Sequence, residues 1–378
     1  MASLTKVETR VYRYPLHTPV VTSFGAMSDR PAVLVCVEDS DGAHGWGEIW
    51  CNFPQCGAEH RARLVDNVIA PLLLGRASVA PAETFRGLEA RLRVLAIQTA
   101  EFGPLAQTLA GVDIALWDLA ARRAAVPLRR LLDPAARETV PAYASGIHPD
   151  GLEEAVVRER ESGYRAYKLK VGFGRERDVA ATRRLRELLR EDERLMLDAN
   201  QAWDAATAAD MASRLAEYEP GWLEEPVAAD TPWADWRALA ARCVVGLAAG
   251  ENLRGEEAFD AAIASEALRV VQPDLCKWGG YSGCFPVARR VLAAGLTYCP
   301  HYLGAGLGLV ASGQLLAAAG GSGLLEVDSN PNPLRELLAE PFPRVEDGRM
   351  TLPQGAGLGV EPNLSEAQRW LAFSTCAS

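Results

Sequence analysis

The chain has 378 residues, 49% hydrophobic and 23% charged, the balance of a soluble globular protein too long for one small domain. Its 39 basic and 49 acidic residues leave a formal net charge of −10, and with no basic stripe this argues against a nucleic-acid partner. No run approaches the roughly 20 uncharged apolar residues that span a bilayer, and the opening segment MASLTKVETRVYRY has no apolar signal core, so no membrane partner and a cytoplasmic location are expected.

The first third reads as its own module. Segments 5–14 and 32–39 alternate in the manner of strands, and Ser40-Asp41-Gly42 supplies a turn before a third strand at 43–49. Helical patterns follow at about 58–74, 81–99 and 104–125. In the last, Leu105, Leu109, Val112, Leu116 and Leu119 recur at three- and four-residue steps. Pro127 and then Asp133-Pro134 close it off.

From about 140 the rhythm changes. Short apolar runs (VPAYAS, AYKLKV, RLMLDA, GWLEE, CVVGLAAGE, LRVVQPD, LTYCPH and GLLEVD) alternate with helix-like stretches such as 178–191 and 205–217. Such alternation implies parallel βαβ units. Eight runs fit a (β/α) barrel of the TIM type, although a doubly wound sheet shares the pattern. A closing segment, 355–372, returns to a Gly-rich turn and a short amphipathic piece, expected to pack back on the first module. Eight cysteines are scattered with no C-x-x-C pair, which speaks against a zinc cage or a disulfide framework and for reduced, mostly buried thiols.

The polar residues at the ends of the runs carry the chemistry. Lys168 and Lys170 end the second run, Asp198 the third, and Glu224 and Glu225 the fourth. Glu251 follows the fifth, Asp274 ends the sixth, His301 the seventh and Glu326 the eighth. From Lys170 to Glu326 these recur every roughly 25 residues, about one βα unit, so in a barrel they ring the C-terminal mouth where active sites lie. Strands often finish in a charge simply because they end at the surface, but that does not account for seven in phase.

Asp198, Glu224 and Glu251 lie on three consecutive strands, and converging carboxylates repel unless a cation sits among them. All-oxygen ligation favours Mg²⁺ before Mn²⁺, and neither zinc nor copper. Only one of the adjacent Glu224 and Glu225 can face such an ion, since neighbouring strand residues point to opposite faces. Lys168 and Lys170, two apart, share a side; their mutual repulsion is expected to lower the pKa of at least one, making a base. Asp274 is placed to accept the ring N–H of His301 and fix its tautomer. The Gly-rich stretch LGAGLGL after His301 suits close helix packing better than a phosphate cradle.

These residues resemble a known family. KLK at 168–170, LDAN at 197–200, LEEP at 223–226, AGEN at 249–252, QPDLCKWGG at 272–280, PH at 300–301 and LLEVD at 324–328 are similar to the enolase superfamily, mandelate-racemase subgroup. TSFG at 22–25, DGAHGWGE at 41–48 and AGVDIALWDLA at 110–120 resemble its capping domain. The resemblance implies an α/β fold, with an α+β capping domain at 1–130, the barrel at 131–354, and a segment at 355–378 packing back on the cap. It implies Mg²⁺ held by Asp198, Glu224 and Glu251, a base at Lys170, and a carboxylate-holding Lys168. It further implies an acid or base at His301 oriented by Asp274, a hydrogen bond from Glu326 to the developing enediolate, and supporting roles for Asn200 and Lys277.

Both outcomes of such chemistry use the same residues. The partner is a small-molecule carboxylate: either a sugar acid or other hydroxy acid loses water, or a small α-substituted acid is racemised or epimerised. Specificity is expected from capping loops at about 16–28 and 50–57, which carry Thr18, Val20, Val21, Thr22, Phe24, Met27, Trp50, Asn52 and Phe53. These are more apolar than a polyhydroxy diacid needs, and only Arg30 is near to meet a distal carboxylate. Of those loops, Thr22, Phe24, Trp50, Asn52 and Phe53 are the candidate substrate contacts. A metal-free aldolase forming a Schiff base at Lys168 or Lys170 is the alternative of another class, but it leaves the three carboxylates without a role. A homo-oligomer is expected by analogy.

Overall fold

The structure, a computed structural model, describes residues 2–22, 25–76 and 80–378. The N-terminal strands outrun the alternating segments that mark them. β1 (Leu4–Thr22) and β2 (Gly25–Asp39) pair antiparallel over most of their length, down to Val20 with Met27 and Thr22 with Gly25. The described residues of the 16–28 segment, expected as a loop, therefore belong to the far end of a ribbon. Pro15 still pairs with Asp29, and the irregularity between Pro15 and Val20 takes in Pro19, as prolines at bulges allow.

β3 (His44–Ile49) pairs with β2, and the helix Phe102–Arg123 lies across the sheet. Contact is close enough that a Cβ at Gly47 would stand 2.0 Å from the Gly111 carbonyl oxygen, so only glycine fits there. Helices Pro81–Thr99 and Phe102–Arg123 fall nearly where the periodicity puts them. The 58–74 pattern is Gly57–Leu64, a π-helical turn Val65–Ile69 and Ala70–Leu73.

The barrel strands are β4 (Thr139–Ile147), β5 (Ala166–Lys170), β6 (Arg194–Asp198), β7 (Leu223–Glu224), β8 (Leu247–Ala249), β9 (Leu268–Val271), β10 (Thr297–Tyr298) and β11 (Leu325–Asp328). They pair in parallel and in sequential order from β4 to β10, and β11 returns to pair with β4. Between β10 and β11 the Leu324 N–H reaches Cys299 Sγ at 3.3 Å. A doubly wound sheet reverses its strand order at a switch point; this one closes. Its interior is one buried cluster with a side chain from each strand or its immediate flank: Tyr143, Ala166, Met196, Trp222, Ala248, Val270, Cys299 and Leu324.

A hairpin of β12 (Val345–Glu346) and β13 (Arg349–Thr351) extends β4 antiparallel at its entry end. β14 (Leu371–Ala377) then crosses back to pair with β1, completing a cap sheet in the order β14-β1-β2-β3. Of the eight cysteines, all free, Cys36, Cys51, Cys276, Cys284 and Cys299 are buried, Cys243 is half-buried, and Cys56 and Cys376 are exposed. Among the described residues no helix is long and apolar enough to cross a membrane.

Among the buried carboxylates that tie cap to barrel, two stand on the long cap helix and on β3. Asp113, on the long cap helix, accepts the Ser282 backbone N–H at 3.0 Å and also the Ser282 hydroxyl. Burial pushes its carboxyl up from an ordinary 3.8 to about 7, against the hydrogen bonds that favour the charge. The native state thus keeps a proton that the unfolded chain releases earlier. The stability linked to this group is present at low pH and is lost as pH rises from about 4 to about 7. Asp113→Asn should therefore flatten the fall in melting temperature between about pH 4 and about pH 7; a slope identical to wild type would contradict the assignment.

Glu48, at the end of β3, is the other carboxylate. It accepts the Tyr302 hydroxyl at 2.6 Å and the backbone N–H groups of Ala305 at 2.6 Å and Gly308 at 2.9 Å. It thereby occupies the N-terminus of the barrel helix Gly306–Ala319, where a carboxylate offsets the helix dipole. The Ala305 and Gly308 N–H groups of the LGAGLGL stretch are thus used by the protein itself. A Cβ at Gly306 would lie 2.1 Å from the Arg335 carbonyl oxygen and one at Gly308 would lie 2.4 Å from the Tyr302 ring. Close packing accounts for these glycines, and the phosphate-cradle alternative has no support.

Candidate active site

The register of the barrel fixes the heights of the polar residues. Lys170 pairs with Asp198 across β5 and β6, and Asp198 with Glu224 across β6 and β7. Glu251, Asp274 and His301 stand two or three residues beyond the short strands β8, β9 and β10, in the turns that begin the mouth. All of them are buried or nearly so.

Lys168 is fully buried, with Nζ 2.7 Å from Glu224 Oε1, 2.6 Å from Glu326 Oε1 and 3.5 Å from Asp198 Oδ2. Lys170 Nζ donates to Asp198 Oδ2 at 2.6 Å and to Asn200 Oδ1 at 2.8 Å. Glu224 also accepts from Gln272 Nε2 at 2.7 Å and Trp222 Nε1 at 3.1 Å. Across the mouth, His301 Nδ1 is 2.8 Å from Asp274 Oδ2, while its Nε2 contacts Glu251 and lies 3.9 Å from Glu326 Oε2. Asp274 is itself held by the backbone N–H groups of Cys276 and Lys277. Glu326 completes the ring, accepting the Ser145 hydroxyl at 2.5 Å and the Tyr302 backbone N–H at 3.0 Å.

Of the two adjacent glutamates, Glu224 points inward to Lys168. Glu225, whose backbone takes φ of 36°, turns to the amides of Asn252 at 2.9 Å and Gln201 at 3.0 Å. Burial, then the neighbouring Glu251, pushes Glu225 up to about 8. Burial, then Asp198, pushes Glu224 up to about 7. Among the described residues no three His, Cys, Asp or Glu side chains stand ready to hold an ion as placed. The pairings show why: cationic side chains (Lys168, Lys170 and the His301 ring) take up the carboxylate oxygens of Asp198, Glu224 and Glu251.

The expectation of a depressed lysine pKa needs correction. Burial lowers both, and Lys168 does lower Lys170, but the carboxylates outweigh these effects. Glu224 and Glu326 hold Lys168 well above its ordinary value, and Asp198 raises Lys170. Burial likewise opposes charge on His301, yet Glu251, Glu326 and the Asp274 hydrogen bond bring it up to about 10.

A cavity of about 410 Å³ opens above these groups. Lys170, His301, Glu326 and Ser145 face it from the barrel, and Thr18, Val20, Val21 and Met27 of the ribbon face it from the cap. Phe24 and the side chain of Thr22 lie outside the described residues. Trp50 and Asn52 do not line this cavity: Lys277 Nζ lies 4.7 Å from the Trp50 ring centroid, and Asn52 donates to the Leu303 carbonyl at 2.8 Å. Phe53 gives its carbonyl oxygen to Arg61. Lys277 also reaches Asn252 and Glu251, at 3.3 and 3.4 Å. Arg30 is not available for a distal carboxylate, because it is buried in an ion pair with Asp328.

Ser145 and His148, at the end of β4, were missed. Ser145 stands one βα unit before Lys170, so the same phase argument reaches it, but a hydroxyl at a strand end carries no charge to mark it.

A closed barrel with lysines on one side of its mouth, a His–Asp pair on the other and carboxylates between is an acid–base enzyme of the enolase superfamily type. The chain belongs to that superfamily: residues 5–133 match the mandelate racemase / muconate lactonizing enzyme N-terminal domain, and residues 151–367 the enolase C-terminal domain-like family. It is 31% identical over 376 residues to the D-galactarolactone cycloisomerase of Agrobacterium fabrum, covering 95% of this chain and 96% of the relative. A crystal structure of a mandelate racemase/muconate lactonizing enzyme from Bordetella bronchiseptica RB50 superposes with a TM-score of 0.90 at 54% identity, covering 97% of this chain and 99% of the other. L-talarate dehydratase from Polaromonas sp. JS666, complexed with Mg and L-glucarate, superposes with a TM-score of 0.87 at 26% identity and full coverage of both chains (100% each). Racemases and muconate cycloisomerases also match. The chain is an enzyme of the lyase or isomerase class.

Proposed function

We propose that this enzyme removes the proton α to a carboxylate with Lys170, uses His301 as the acid–base group on the opposite face, and thereby dehydrates a sugar acid or related hydroxy acid. The observation that carries the reading is that Lys170 and His301 face one cavity, with Glu326 beside them. Such a proton is very weakly acidic, so the second negative charge formed must be neutralised as it develops.

The donor set suits a hard divalent ion. Asp198 and Glu224 are buried at the ends of adjacent strands and Glu251 stands nearly buried just beyond the next; Glu251 raises the pKa of Asp198 and Asp198 that of Glu224, and cationic side chains balance all three. These three residues would hold Mg²⁺, as the relative complexed with Mg encourages; when bound, it would neutralise the substrate carboxylate and the charge that builds on it. Lys168, buried between Glu224 and Glu326, would bind a carboxylate oxygen. Glu326, once protonated, would donate a hydrogen bond to the developing anion's oxygen. Lys170 serves as a base where Asp198 is otherwise engaged, since the adjacent ammonium of Lys168 then disfavours its proton. Asp274 fixes the His301 ring so that Nε2 gives or takes the proton. For dehydration, His301 protonates the departing β-hydroxyl and water leaves as the enol forms, to become a keto acid.

Racemisation or epimerisation is the second reading. The apolar ribbon residues over the cavity favour it, because a smaller, partly apolar acid fits beneath them.

Glu251→Gln should weaken Mg²⁺ binding by at least about tenfold by titration calorimetry, through loss of one charged ligand. Wild-type affinity in that variant would contradict the ligand set.

A further inference from the structure

The cavity has a side that the acid–base chemistry does not use. β4 and β5 pair Ile147 with Leu169 after a register shift from Ala144, so His148, the residue just past β4, comes beside Lys170, and both line the cavity. His148 Nδ1 accepts the Asp150 backbone N–H at 3.1 Å, and the ring packs edge-on against Phe173 with centroids 4.7 Å apart. A nitrogen that accepts carries no proton, so the neutral ring bears its hydrogen on Nε2. Burial, with Arg177 nearby, lowers the pKa and keeps the ring neutral, although Asp150 pulls the other way. Among the described residues Nε2 has no hydrogen-bond partner.

The surrounding charges narrow what that donor can meet. Lys170 is the one Lys or Arg lining the cavity among the described residues, and the undescribed residues 23 and 24 are Ser and Phe. The cavity's two further carboxylates, Asp150 and Asp328, are already paired, with Arg177 at 2.7 Å and with Arg30. A second carboxylate on the substrate would meet these acids with no free cation to balance it. A hydroxyl or carbonyl oxygen would meet a waiting N–H.

We propose that His148, through Nε2–H, is a specificity-determining residue that holds an uncharged oxygen of the substrate. The site accordingly takes monocarboxylic hydroxy acids in preference to dicarboxylic ones. This rests on the proton-abstraction reading above.

The test uses the full chain with Mg²⁺ in D₂O and a panel of matched aldonic and aldaric acids, reading kcat/KM together with deuterium uptake at the α-carbon of the acid or the β-carbon of a keto-acid product. Wild type should prefer the monoacids by at least about tenfold. His148→Leu should raise KM by about tenfold with little change in kcat, and His148→Gln, which keeps an N–H donor, should recover most of the loss. A diacid preference in wild type, or an unchanged KM in His148→Leu, would overturn the assignment while leaving the α-exchange reading intact. No deuterium uptake from any acid would overturn that reading and this proposal with it.

Discussion

Lys170→Ala should lose α-hydrogen exchange by about 10³-fold, within the range a positioned general base contributes. The side chain reaches the cavity from the end of β5, where its Nζ is held by Asp198 and Asn200. Lys168 cannot replace it, being fully buried and committed to Glu224 and Glu326. The fold should survive, because Asp198 keeps Lys168 at 3.5 Å and the lost side chain is partly exposed. Exchange is read by the decay of the α-proton NMR signal in D₂O with Mg²⁺ present, and a melting curve serves as control. Exchange at the wild-type rate in a folded variant would remove Lys170 as the base.

The second large effect separates two steps that Lys170→Ala abolishes together. His301→Asn removes the ring that Asp274 orients at 2.8 Å while leaving the β5 side of the cavity in place. Overall turnover should fall by about 10³-fold, because no group remains to protonate from the opposite face, whereas exchange from the Lys170 face should persist within about tenfold of wild type. Glu251 loses a cationic neighbour in this variant but retains Lys277 at 3.4 Å, so ion binding can be measured independently. Full turnover by His301→Asn would sink the two-face mechanism.

The periodicity of the sequence reveals the ring of polar residues because a βα unit has a nearly constant length, so Lys170, Asp198, Glu224 and their successors recur in phase. The long cap helices are equally visible, since leucines at three- and four-residue steps leave little else possible. What it hides is interaction between distant segments. Glu48 gives no sign that its carboxylate ends on a helix 257 residues away, and Arg30 gives no sign that Asp328 claims it. The pairing of Val20 with Met27 and Val21 with Ala26 is likewise hidden, because it follows an irregularity that no local pattern announces. The lysine pair misleads in another way: its like-charge repulsion is local and obvious, while the carboxylates that outweigh it, Asp198, Glu224 and Glu326, come from three other strands. His148 is overlooked because its meaning depends on which ring nitrogen is already occupied, and that is decided by a backbone N–H.

The most direct test of proton abstraction is to incubate wild-type enzyme with Mg²⁺ and 2-hydroxy acids in D₂O, then add borohydride to a parallel sample. Deuterium should appear at the α-carbon of recovered substrate or of an epimerised product, or at the β-carbon of a keto-acid product, exchange should stop when a chelator is added, and no substrate should become attached to the protein. Turnover that survives chelation, with a borohydride-trapped adduct on Lys168 or Lys170, would contradict the account and replace it with Schiff-base chemistry.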